Sequence, residues 1–367
     1  MNILIAPNSM KGSINAFDFA DIIEDTIHKH YEGAYIKKIP VADGGDLTGE
    51  ILARNLNGRK IGIIASGPLG RRIGTTYFIA GRTAIIEMAN ISGLCLLKEH
   101  ELNPLKTSSY GVGELILDAY LKGCTEIILG IGGSATIDGG MGMLEALGCK
   151  FYTKDSQLLS GNGGNLKSIH RIEFSSKIPT KTKFTVLSDV KNKLLGKSGA
   201  ATVFGPQKGG TKSMIIDMES GLENWSHLLY QMSGMNITDF PGSGAAGGIA
   251  TGLAAFYNAS IKIGAEYIFE LLKFNQAAQW ADVIITGEGK LDSQSLQDKA
   301  PFMVAKYGMK YKKPVYAIVG RNDLGDSKYF EGIYELAEND ENVSYAIENV
   351  NSLVQQNVIK LIRILGL

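Results

Sequence analysis

The chain has 367 residues, length for about two domains, with 44% hydrophobic and 20% charged residues. Lys plus Arg and Asp plus Glu are each 37, so no net field favours nucleic acid or an anionic membrane, and no basic run carries interleaved aromatics. No stretch of about 20 apolar residues is present to span a bilayer; Cys95, Cys124 and Cys149, odd in number and without metal-ligand spacing, fit a reducing cytoplasmic setting.

The first residues, MNILIAPNSMKG, lack a charged leader region, so Asn2 to Ala6 reads as a strand rather than a signal sequence. A helix follows from Ser13, a plausible N-cap, to His30, then a strand at Tyr35 to Ile39 and a helix from Leu47 to Leu56. This βαβα start predicts a parallel sheet with helices on its faces. From Arg59 to Met88, short strands broken at Gly67 and Ala80 resemble an antiparallel meander. A helix from Val112 to Leu121 and a strand at Glu126 to Leu129 come next, and Phe184 to Leu187 is a further strand. Near the C-terminus, Asp282 to Ile285 and Val315 to Val319 read as buried strands flanking a helix from Asp298 to Tyr307. The expectation is an α/β protein of two α/β domains: a discontinuous one from residues 1–60 and 265–367, and an inserted mixed one from 61 to 264.

Two segments carry the chemistry. GIGGSATIDGGMG (Gly130 to Gly142) and TGEGKLD (Thr286 to Asp292) read as glycine-rich loops that follow strands and close on acidic residues. Such loops turn backbone N–H groups toward anionic oxygens while an aspartate holds a metal or takes a proton. Gly130, Gly132 and Ala135 also give G-x-G-x-x-A, a partial dinucleotide fingerprint; a second hit, Gly242, Gly244 and Gly247 in PGSGAAGG, follows no strand. That match keeps an NAD(P)-dependent dehydrogenase of a small hydroxy acid as an alternative, although Ser134, Thr136 and Asp138 suit phosphate and metal better. Tight helix–strand packing is the plainer explanation of either cluster.

Asp189 stands just past a strand end, where a carboxylate can take a hydroxyl proton or bind Mg²⁺; an ordinary helix N-cap is the competing reading. Lys208 in FGPQKG offers a charge for a transferred phosphate or is simply solvated. Asp43 and Asp46 in VADGGD suit Mg²⁺ or a capped turn, and Lys11 follows the first strand. Gly196-Lys197-Ser198 ends like a P-loop, but Lys191 stands where the first glycine belongs, so it reads as a basic turn. The five histidines, His28, His30, His100, His170 and His227, show no zinc or triad spacing.

Taken in order, APNSMKGS, VADGGD, SGPLGR, NPLKTSSYGVGELI, GIGGSATIDGGMGMLEALG, SDVKNKLLGKSGAATVFGPQKG, PGSGAAGG and VIITGEGKLDSQ resemble the two-domain bacterial glycerate kinase family. The resemblance implies a Rossmann- or flavodoxin-like parallel-sheet domain and an inserted α/β domain. It also implies ATP- and Mg²⁺-dependent phosphorylation of glycerate at a cleft between them, with 2-phosphoglycerate favoured and water excluded on closure. The family's polar positions fall on Ser9, Lys11, Asp43, Ser134, Asp138, Asp189, Lys208, Glu288 and Asp292. Catalytic roles are implied for Asp189, Asp43 and Lys11, the last gripping the carboxylate. Ser9, Gly132, Gly133, Ser134, Lys208, Gly244 and Glu288 would bind substrate or nucleotide, and Asp138 and Asp292 would hold Mg²⁺. Asn8, Ile137, Ser188 and Lys290 depart from the family's usual Asp, Asn, Cys and Arg. Asn8 leaves an inactive ligand-binding homologue as a further alternative. Glycerate is the implied partner, nucleic acid and membrane are not, and homo-oligomerisation stays open.

Overall fold

The computed structural model describes residues 1–42, 48–292, 299–325, 327–337 and 339–366. Its strands, in chain order, are β1 (Asn2–Pro7), β2 (Tyr35–Lys38), β3 (Arg59–Ser66), β4 (Arg72–Ala80), β5 (Thr83–Glu87), β6 (Glu126–Gly130), β7 (Lys150–Tyr152), β8 (Leu158–Leu159), β9 (Arg171–Glu173), β10 (Lys183–Ser188), β11 (Ser260–Ile263), β12 (Val283–Leu291), β13 (Val315–Asn322) and β14 (Gly332–Glu335). The chain divides into two compact units, residues 1–43 with 265–367, and residues 44–264. No helix among the described residues is long and apolar enough to cross a membrane.

The chain-end unit holds a parallel sheet in the order β2-β1-β12-β13-β14. Counted within the unit this is the flavodoxin-like order, whose reversal point lies between β1 and β12. Both faces are covered, which explains the unbroken apolar runs of the sequence. Ile3, Ile5, Val283 and Ile285 pack in one cluster with Phe19, Ile23 and Ile27 of the helix Ala16–His30 and with Val354, Val358 and Leu361 of the helix Val350–Ile364. The alternate residues Leu4, Ala6, Ile284, Ala317 and Val319 join Phe269, Phe274 and Val304 in a second cluster. Each fully buried Ile, Leu or Phe contributes about 1.5–3 kcal/mol of transfer free energy, so the two layers hold the sheet.

Two expectations are corrected here. The first long helix starts at Ala16, not Ser13: Asn15 Oδ1 accepts Phe17 N–H and Asp18 N–H, each at 3.0 Å, and Ser9 Oγ accepts Ala16 N–H at 3.1 Å. Ser13 lies earlier, in a turn where its N–H donates to Met10 O. The TGEGKL segment, in turn, is strand rather than loop, since β12 runs to Leu291 and pairs Glu288 with Val319 and Lys290 with Arg321. Gly287 permits this: a Cβ there would stand 2.2 Å from Ile318 O and 2.6 Å from the Phe19 ring.

The inserted unit contains a six-stranded mixed sheet, β11-β10-β6-β5-β4-β3. β5, β6, β10 and β11 are mutually parallel, and β3, β4 and β5 form the meander foreseen from sequence. A small β8-β7-β9 sheet is appended. The helix Thr48–Asn55 packs on β4 and β5, and Glu87 Oε1 at the end of β5 accepts Gly49 N–H at 3.1 Å. Residues 48–60 therefore pack with the inserted unit, and the compact units divide at 43/44, where the sequence reading places the line after residue 60.

Replacing Asn15 by Ala should cost about 1 kcal/mol of stability through the lost cap, whereas Ser13→Ala should cost a few tenths. Urea unfolding of the two variants checks this, and a reversed ranking would return the cap to Ser13.

Candidate active site

The parallel strands of the inserted unit all end on one side of its sheet, where open α/β sheets commonly bind ligands. There β5 ends at Glu87, β6 at Gly130 and β10 at Ser188, with Gly130 in register with both Glu87 and Leu187. The segment after β6 exposes Gly132 and Gly133, then dives under cover at Ser134. Its course is fixed from one side by Leu94 N–H to Gly133 O at 2.9 Å, Ala135 N–H to Ser92 O at 2.8 Å and Thr107 Oγ1–H to Ala135 O at 2.9 Å.

From the other side the clamp is Lys208, which is 2% exposed, not solvated. Its ammonium donates to Ser134 Oγ at 2.9 Å and Thr136 O at 2.8 Å. Burial drags its pKa down to about 7, and the nearby Asp138 charge pulls the other way. The neighbouring Thr136 hydroxyl is buried with no hydrogen-bond partner among the described residues.

Asp138 is completely buried. Its Oδ2 accepts Ser109 N–H at 2.8 Å, Ser109 Oγ–H at 2.7 Å and Gly142 N–H at 3.3 Å, and its Oδ1 accepts Gly140 N–H at 3.1 Å. Burial raises its pKa against these donors, which stabilise the carboxylate. This carboxylate knots the loop to the start of the helix Met141–Ala146; its oxygens face N–H and O–H donors, a setting unlike that of an Mg²⁺ ligand. Among the described residues no three His, Cys, Asp or Glu side chains gather closely enough to hold a metal.

Asp189 follows β10 directly and is exposed, in a bend with no helix before Ala200, so the N-cap reading falls. Ser188 is buried and its hydroxyl donates to Val190 O at 3.0 Å. The following segment is held by the glycine turn, where Gly244 N–H donates to Asn192 O at 2.9 Å. That turn takes left-handed φ at Ala246, Gly247 and Gly248 and closes on the first loop through Gly139 N–H to Gly247 O at 2.9 Å. A Cβ at Gly247 would lie 2.2 Å from Thr136 O, so only glycine fits. Gly244 is likewise buried packing rather than a phosphate cradle. The structure thus joins Ser134 and Lys208 beneath the exposed Gly132–Gly133 segment, Asp189 leaves the adjacent strand end, and Asp138 and Gly244 hold the surrounding loops. Gly196 sits in a turn whose N–H donates to Glu219 Oε1.

The other candidates belong to the chain-end unit. Ser9 and the exposed Lys11 follow β1, beside Gly289 of β12: a Cβ on Gly289 would be 3.8 Å from Lys11 N. Asn8 Oδ1 accepts Ser9 N–H at 2.8 Å and Asn8 N–H donates to Gly287 O at 2.8 Å, so this residue shapes the turn at the reversal point. Glu288 is buried in β12 and Asp292 is half-buried just beyond it. Lys290 pairs with Asp323 at 2.7 Å, which raises its pKa. Asp43 lies outside the described residues.

Sequence reasoning missed Ser109 and Thr107, which anchor the loop, and Glu87 beside it. The signal lay in NPLKTSSYGVGELI, whose hydroxyls are the partners the buried Asp138 and Ala135 require. The dinucleotide reading fails on geometry: a fingerprint glycine turn opens straight into a helix, whereas here the loop runs on to Met141 and then gives six helical residues.

The model of the Glycerate kinase family matches residues 3–366. The chain is 38% identical over 362 residues to Glycerate kinase of Halalkalibacterium halodurans, covering 96% of this chain and 95% of that protein. It is 40% identical over 331 residues to Glycerate 2-kinase of Escherichia coli K12, covering 89% and 87%. A crystal structure of a protein described as a candidate glycerate kinase 2 from Salmonella typhimurium LT2 superimposes with a TM-score of 0.89 at 36% identity over all of both chains. With a family match over nearly its whole length, the chain belongs to the glycerate kinase family, enzymes that transfer phosphate to glycerate.

Proposed function

We propose that this kinase transfers the terminal phosphate of ATP to the 2-hydroxyl of glycerate, giving 2-phosphoglycerate. The choice of product is supported by the 40% identical relative in Escherichia coli named Glycerate 2-kinase. Phosphoryl transfer asks a protein for positioning and charge neutralisation rather than covalent chemistry. The observation that carries the assignment of parts is the adjacency of β6 and β10: Asp189 and the Gly132–Ser134 loop leave neighbouring strand ends of one sheet.

In this reading the exposed Gly132–Gly133 backbone and the Ser134 hydroxyl receive the nucleotide's phosphates. The reversal point of the chain-end sheet is the usual alternative, but its helix is already satisfied. Ala16, Phe17 and Asp18 N–H bond to Ser9 and Asn15 side chains, and Phe19 N–H bonds to Asn15 O. No donor of that first turn is left for an anion. Ser9 is thereby a capping residue, while Lys11 keeps its assignment to the glycerate carboxylate.

Asp189 is the residue assigned to orient and deprotonate the attacking hydroxyl, being an exposed carboxylate at the strand end. Mg²⁺ is held in such sites by one or two carboxylates together with the phosphates. The described side chains fit that mode better than a preformed protein cage. Asp189 is an exposed carboxylate able to enter its coordination, whereas Asp138 is committed to the loop.

ATP should be consumed only when glycerate is present, and enolase alone should convert the product, which 3-phosphoglycerate would not allow. Asp189→Asn should lower kcat by roughly 10²–10⁴-fold with an unchanged circular dichroism spectrum. Near-normal turnover would remove Asp189 from the chemistry.

A further inference from the structure

We propose that Lys208 is a positioning residue that acts on ATP through Ser134, fixing the Ser134 hydroxyl as a hydrogen-bond donor to a phosphate oxygen. This inference rests on the reading of the Gly132–Ser134 loop as the phosphate-binding segment.

The argument begins from donor and acceptor capacity. A lysine ammonium has three donors and no acceptor, whereas a serine hydroxyl has one hydrogen and two lone pairs. With Lys208 in its charged form, the Ser134 oxygen is therefore the acceptor at the 2.9 Å contact. Its own hydrogen is turned away from Lys208, and no protein acceptor takes it among the described residues. A buried hydroxyl that accepts from a cation is a polarised donor, and an anionic oxygen is the partner it best suits.

Direct contact between Lys208 and a phosphate is the competing arrangement. Against it, the residue is 2% exposed and its ammonium already spans Ser134 Oγ and Thr136 O. Reaching a ligand would require breaking the clamp that holds the loop. The Thr136 carbonyl is further confined by Gly247, so the lower half of the clamp has little room to yield. The lysine therefore works from beneath the loop. Its charge reaches the nucleotide along one hydroxyl.

A double-mutant cycle tests this with the full-length enzyme: S134A, K208M and the double variant, each assayed for the KM of ATP, the KM of glycerate and kcat. Thermal melts establish that each is folded. Each single variant should raise the KM for ATP by about tenfold, the size of one lost charge-assisted hydrogen bond, and leave that for glycerate within about twofold. The double variant should match S134A rather than show the product of the two effects. Ser134→Thr, which keeps the hydroxyl, should restore most ATP affinity. Multiplying effects, or a K208M defect in glycerate KM instead of ATP KM, would overturn the proposal. If S134A binds ATP normally, the phosphate-loop reading itself falls; if S134A is impaired and K208M is not, only the role of Lys208 falls. Should K208M fail to fold, K208Q takes its place in the cycle, with the same non-additivity expected.

Discussion

An ammonium group with almost no access to water is the constraint around which the inserted unit is arranged. Burying Lys208 is costly, and the cost is offset only if its donors meet good acceptors. Ser134 Oγ and Thr136 O are those acceptors, and both belong to the loop after β6. The pKa of about 7 is the measure of the compromise. Because the native value lies below the ordinary 10.5, folding becomes more favourable as pH rises from 7 toward 10.5, and the penalty for holding the charge is complete below that window. A side chain kept at such expense is more readily explained by what it does for the loop than by stability alone.

Asp138 makes the same point from the opposite sign. It is buried beside the same loop, and its four donors come from Ser109, Gly140 and Gly142. The carboxylate converts a glycine-rich segment, entropically expensive to order, into one with a single course. The turn from Gly242 to Gly248 closes on that course through Gly139 and Thr136, with Trp225 Nε1–H donating to Thr251 Oγ1 at 3.1 Å behind it. The exposed tip at Gly132 and Gly133 is thus a short backbone segment mounted on a rigid base, which preorganised anion binding needs.

Much of this was legible in the amino-acid order. The alternating βα pattern at both ends and the meander from Arg59 to Met88 gave the architecture, because buried strands and period-changing helices leave local signatures. What did not show locally was misread for physical reasons. TGEGKL looked like a loop because glycine usually weakens strands; only the closeness of Ile318 and Phe19 explains a glycine inside β12. Lys208 looked solvated because lysines usually are; its burial depends on a loop more than 70 residues away. Asp138 looked like a metal ligand because acid after glycine is common to both metal sites and loop anchors. The difference lies in Ser109, whose partnership no spacing rule announces. The 43/44 boundary was hidden because helix Thr48–Asn55 has an ordinary amphipathic sequence that does not say which sheet it covers.

On the proposed assignment, the chain-end unit illustrates why fold alone is a poor guide to where a ligand goes. Its strand order creates a reversal point, and in many proteins that point receives a phosphate on a helix N-terminus. Here the first turn of that helix spends its donors on Ser9 and Asn15, two side chains that arrive from the turn between strand and helix. Such capping stabilises the helix by about 1 kcal/mol per bond and at the same time closes the site to anions. The inserted unit does the reverse: its loop after β6 leaves Gly132 and Gly133 uncovered above the Lys208 clamp, where the Ser134 hydroxyl hydrogen and the Thr136 hydroxyl have no partner among the described residues. The distribution of unspent backbone donors, more than the type of sheet, is what separates the two strand-end surfaces, and it favours the inserted unit as the one that takes the more highly charged ligand.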